Sequence, residues 1–201
     1  MWRAQGAAAR WTCLVLLVAG AVAVLALPAD SAQRAARPDA SLAGGGYTLV
    51  NPAGRNVEAN RARFELAVRE SQATGATRGK SLTIRAKGFD NQLYVARSNA
   101  VAVGGGANID RCSLEIAPDG QLATLHGQAA VFRIVGATEV PTGQRFHFAL
   151  MLADLAEPNG AGSDEVTIVT RDGVSLPFPL PDGVLTSGNV AMTEGPKAPS
   201  C

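Results

Sequence analysis

The stretch Gln144-Arg-Phe-His-Phe-Ala-Leu-Met-Leu-Ala-Asp154, the polar loop 155–163 and then Asp164-Glu-Val-Thr-Ile-Val-Thr-Arg-Asp172 decide the fold. Phe146, Phe148, Leu150 and Leu152 fall on alternate positions, and Val166, Ile168 and Thr170 do the same after the loop. Period-2 alternation on both sides of a Gly/Pro/Asn loop predicts a two-stranded hairpin with one buried face. Ala149 to Leu152 are also good helix formers, and Phe148 and Leu152 have a helical spacing. The strand reading is preferred because Pro141-Thr142-Gly143 and Pro158-Asn159-Gly160 bracket the first arm, and a strand-like partner follows it.

Outward from the hairpin the same pattern recurs. Phe64, Leu66 and Val68 alternate with Arg63, Glu65 and Arg69. Leu82, Ile84 and Ala86 alternate with Thr83, Arg85 and Lys87. Further strands are expected at Tyr47–Val50, Leu93–Val103 (broken near Ser98-Asn99), Arg111–Ile116, Leu122–Ile134 and Val190–Thr193. Gly44–Gly46 and Gly104–Gly106 do not sit between a strand and a helix, so they read as turns rather than phosphate cradles. Pro177, Pro179 and Pro181 are incompatible with a central strand. About nine or ten short strands, with turn signals every 8–12 residues, predict an all-β chain: an antiparallel β-sandwich or partly open barrel.

The first 31 residues read as a secretory signal peptide. Arg3 and Arg10 form a basic start, Trp11–Leu27 is uncharged and almost wholly apolar, and Ala29 and Ser31 are the small pair before a cut after Ser31. The alternative is an uncleaved N-terminal membrane anchor, for which 17 apolar residues are at the short edge. Residues 32–43 read as a disordered linker, 44–194 as the β domain and 195–201 as a tail. The expected location is secreted, cell-surface or periplasmic, with membrane contact only through the leader. The leader removes Arg3 and Arg10 of 18 basic residues and Asp30 of 17 acidic ones, leaving 16 of each. A neutral chain has no basic excess for nucleic acid. Cys112 and Cys201 remain in an oxidising compartment; they pair in one reading, and stay as a strand cysteine and a free terminal thiol in the other.

The triple glycine 44–46, Thr124 to Ala130, Phe146 to Asp164, Asp172-Gly173 and Gly188-Asn189-Val190 follow one another in an order that resembles the post-COAP type of secreted bacterial β-domain. It spans Gly44 to about Thr193 and departs from the family at Lys80–Arg85, which lacks the more aromatic, histidine-containing version. The resemblance implies an exported all-β module with no assigned catalytic activity.

The candidate sites are few. Asp154, Glu157, Asn159 and Asp164, with Ser163 and Glu165, put hard oxygen ligands in one loop, which is what Ca²⁺ takes, although the spacing is not that of an EF-hand. The plain alternative is a solvated hairpin loop. His126 and His147, the only histidines, lie in expected strands with no second ligand at metal spacing. No Gly-x-Ser-x-Gly elbow is present. Nothing pairs any two of Glu58, Glu65, Glu70 and Glu115 for glycoside hydrolysis. The expectation is therefore a non-catalytic structural or binding module with an unknown protein or polysaccharide partner. The alternatives are a small-ligand or polysaccharide binder, calcium-assisted or not, and a secreted hydrolase.

Overall fold

The computed structural model describes residues 40–50, 58–70, 77–99, 101–102, 105–111, 113–117, 120–155 and 164–193. Residues 1–39 and 194–201, where a leader and a tail are expected, and both Cys112 and Cys201 lie outside the described residues. The strands are β1 Ala40–Leu49, β2 Arg61–Glu70, β3 Thr77–Lys87, β4 Leu93–Arg97, β5 Val101–Ala102, β6 Gly105–Gly106 and β7 Glu115–Ile116. After them come β8 Leu122–Val135, β9 Thr138–Ala153, β10 Glu165–Thr170, β11 Asp182–Val184 and β12 Ser187–Thr193. A 3-10 turn, Glu58–Asn60, leads into β2, and no α-helix occurs among the described residues. The fold is all-β: a curled, antiparallel half-barrel sheet in the order β11-β10-β9-β8-β4-β3-β2-β1-β12, with β7 also on β8 and a separate β5–β6 pair. One continuous sheet is the partly open barrel of the two architectures expected.

The curl follows from chain length. β11 and β12 are the two ends of this nine-strand order, yet only Leu185 and Thr186 separate them. Three Cα steps reach at most about 11 Å. A flat sheet would place those strands roughly 38 Å apart, at about 4.8 Å per neighbour. The sheet must therefore roll until its ends meet. Where they meet, Thr186 N–H donates to Tyr47 O at 3.0 Å and Asp182 N–H to Thr48 Oγ1 at 3.2 Å. Asp164, 2% exposed, spans the same seam: its carbonyl accepts from Leu185 N–H at 2.8 Å and its Oδ2 from Val190 N–H at 3.0 Å.

Alternation places the core on the inner face. Phe64, Leu82, Ile84, Leu125, Phe146, Phe148, Leu150, Leu152, Val166 and Ile168 are all buried in one cluster. Each large side chain contributes about 1.5–3 kcal/mol. The expected hairpin is present, with Leu150 opposite Ile168 and Leu152 opposite Val166. Connecting segments fill the rest of the interior. Ile109 bridges to Gly127, where a Cβ would lie 2.8 Å from the Phe148 ring and 2.9 Å from Ile109 Cα. Phe178, from the proline-rich segment, stacks on Tyr94 at 5.6 Å between centroids.

Several boundaries differ from expectation. Gly105–Gly106, expected in a turn, pair with β5, and among the described residues only Glu115–Ile116 of the expected strand Arg111–Ile116 is strand. β1 begins at Ala40, so the linker cannot extend to residue 43, and Gly44–Gly46 lie inside that strand rather than forming a turn. The glycines are there for close approach: a Cβ on Gly44 would sit 2.6 Å from Asn189 O, and one on Gly46 would overlap Ser187 O. β9 runs through Pro141-Thr142-Gly143, which was expected to bound the strand. Pro141 faces Phe132 beside a register shift that puts the extra residues on β9, the kind of irregularity that accommodates a missing N–H.

Replacing Asp164 tests the seam. D164A leaves the Val190 N–H without its acceptor and should lower urea-unfolding stability by about 1–3 kcal/mol. D164N retains an acceptor oxygen and should lose less. Equal, negligible losses in both variants would contradict this role.

Candidate functional site

On the outer face of the half-barrel, the residues that alternate with the core gather into a basic cleft. β2 contributes Arg63 and Glu65, β3 Thr83 and Arg85, and β4 Arg97. The antiparallel register sets Arg63 opposite Arg85, Glu65 opposite Thr83, and Thr83 opposite Arg97. These side chains and Phe64 line a cleft of about 390 Å³. Beside it, the Arg61 guanidinium lies 4.5 Å from the centre of the Tyr47 ring and that of Arg63 5.7 Å, both within cation–π range.

One wall is rigid. Arg97 grips Glu139 with two hydrogen bonds, Nε to Oε2 at 3.0 Å and Nη2 to Oε1 at 2.6 Å, and gives a third from Nη1 to Thr83 Oγ1 at 3.3 Å. Those bonds hold the Glu139 carboxyl below the usual carboxylate range, against partial burial; the charges of Arg97 and Arg85 act in the same direction. Arg97 is pushed up by the same contact, and Glu65 adds to that. Arg85 is exposed and makes no ion pair among the described residues.

Of the residues singled out from the sequence, Asp154 and Asp164 come near enough for their charges to interact. Of the calcium set, Asp154 and Asp164 are described, and Glu157 and Asn159 lie outside the described residues. Asp164 is engaged at the seam. Burial raises the Asp154 carboxyl, and the charge of nearby Asp164 raises it further. Among the described residues, no three His, Cys, Asp or Glu side chains come together as a metal site. His147 is exposed, as its parity requires. Its backbone N–H donates to Asp172 Oδ2 at 2.9 Å, and its Nδ1 lies 3.3 Å from the same oxygen. The backbone donation is the main reason the Asp172 carboxyl is held low. His126, half-buried on β8, offers its carbonyl to Ser113 Oγ at 3.0 Å. Glu65 and Glu70 differ in parity along β2 and so face opposite sides of the sheet, and Glu70 is buried.

The arginine cleft was not singled out from the sequence. Its signal was present in the outward alternation of Arg63, Glu65 and Arg85, but their mutual positions depend on strand register. Comparison with protein-family models, curated proteins and solved structures finds no match to this chain.

The raised Asp154 carboxyl has a pH signature. The folded state holds this proton more tightly than the unfolded chain. Its ionisation therefore subtracts stability above the folded pKa and has no effect below the ordinary value of 3.8. In chelator, D154N should melt higher than the parent at pH 7 and level with it near pH 3. Millimolar Ca²⁺ discriminates further: a rise in parent Tm that D154N lacks is expected if the loop takes the cation, and no rise would remove it as a calcium site.

Proposed function

We propose that the chain is an exported, non-catalytic β module that binds its ligand on the outside of the half-barrel, at the cell surface or beyond it. The observation that carries this reading is the division of the sheet's two faces. The inner face is filled by one packed cluster that includes Ile109, Leu114 and Phe178 from the connecting segments. A ligand pocket of the lipocalin type needs an interior free of such side chains. The outer face carries the basic cleft. The resemblance to the post-COAP type of domain and the leader-like residues 1–31 support the same location.

Export and binding are tested together. Fractionation of the source cells should place the chain in the medium or the envelope. Its intact mass should begin at Ala32. The purified chain should be retained on at least one extracellular polysaccharide or small ligand in a thermal-shift panel and release no reducing ends from it. A cytoplasmic chain that retains Met1, or measurable turnover of a retained polysaccharide, would contradict the reading.

A further inference from the structure

The geometry points to the cleft between β2, β3 and β4 as an oxyanion site that takes a carboxylate or phosphate group of the ligand, with Arg85 as its exposed donor and Arg97 as its fixed wall. This inference rests on the binding reading and names the chemistry of the group bound; it does not depend on export.

The first argument is the register. Arg63 and Arg85 are directly opposed across β2 and β3. Like charges in that position disfavour the pairing, and a sheet face that only needed solvating would be served as well by opposite charges there. An anion lodged between the two guanidinium groups turns the repulsion into attraction. Guanidinium also suits the task, because its planar fork of donors matches both carboxylate and phosphate oxygens.

The second argument is the charge balance. Arg63, Arg85 and Arg97 line the cleft with Glu65, and Glu139 holds Arg97 from outside it. Inside the cleft three guanidinium groups thus accompany the single carboxylate of Glu65. Glu65 then acts as a limiter on affinity and Glu139 as the positioner of Arg97. A cleft of about 390 Å³ lies at the low end of ligand-site volumes, which run from roughly 300 to 1,000 Å³. Such sites usually have apolar walls. Here arginine, glutamate and threonine dominate, which favours a small charged group over an apolar ligand.

The third argument is preorganisation. Arg97 Nε, Nη1 and Nη2 are already held by Thr83 and Glu139, so binding need not order that side chain. Arg85 lines the cleft, is exposed and makes no ion pair among the described residues, so its donors are open to a ligand.

The test uses the purified chain and calorimetric titration with trigalacturonate, inorganic phosphate and pyrophosphate, with maltotriose as the neutral control. At least one anion should bind, more weakly as salt rises, and maltotriose should not bind at this cleft. R85A should weaken anion binding about tenfold, the loss of one charge-assisted contact. E65Q should strengthen it about threefold, an effect that a merely structural role for Glu65 would not produce. R171A, exposed beyond β10, should leave affinity unchanged. Response to the galacturonate alone assigns the group as a carboxylate, and response to the phosphates alone assigns it as a phosphate. The proposal is overturned if none of the anions binds, or if R85A and R171A bind them equally. Retention of a neutral glycan by both the parent and R85A would overturn this site and leave the binding reading standing.

Discussion

The two-residue link between β11 and β12 constrains everything else in this fold. It ties the two ends of a nine-strand order together, so the sheet rolls and its ends share hydrogen bonds. At the β12 end the sheet also packs its backbones closely, where the three successive glycines of β1 lie against β12 and Gly188, with φ of 125°, faces Gly46. A Cβ on Gly188 would overlap Gly45 O. Asp164 completes the seam with its backbone and its carboxylate. A buried carboxylate is tolerated where its acceptors are used, and here one of them receives a β12 amide.

Rolling also separates the two faces by function. The inner face of a small rolled sheet is a packed core, and loops that would otherwise cap an opening are drawn into it through Ile109 and Phe178. The outer face retains the polar half of every alternating strand. Because neighbouring strands are held in register, outward residues from three strands converge, and side chains that are ordinary singly become a cleft. The Arg97–Glu139 pair illustrates this convergence: 42 positions apart in sequence, the two residues fix one wall.

Much of this was legible in the sequence. The hairpin of β9 and β10 follows from its alternation, and so do β2, β3 and the inward side of β8, because burial on one face imposes period 2 directly on the chain. What failed were positions where tertiary contact overrides a local signal. The triple glycine 44–46 has the composition of a turn but is strand, since its role is to admit a neighbouring backbone. Pro141 looks like a strand boundary, yet it sits beside a bulge in β9, where a missing N–H is tolerated. Asp164 reads as a loop ligand because its seam partners, Leu185 and Val190, are more than 20 positions away. The cleft is the same case. Alternation sends Arg63 and Arg85 outward, but only the register sets them opposite one another.

The ends of the half-barrel are held together at their seam as firmly as the sheet is packed at its centre. Native-state hydrogen exchange tests it directly. The amides of Leu185, Thr186 and Val190 should exchange only through global unfolding, with protection equal to that of Leu125 and Leu150, paired across the β8–β9 hairpin. Fast exchange at those three amides, while the hairpin stays protected, would show a sheet whose ends part freely and would contradict the account.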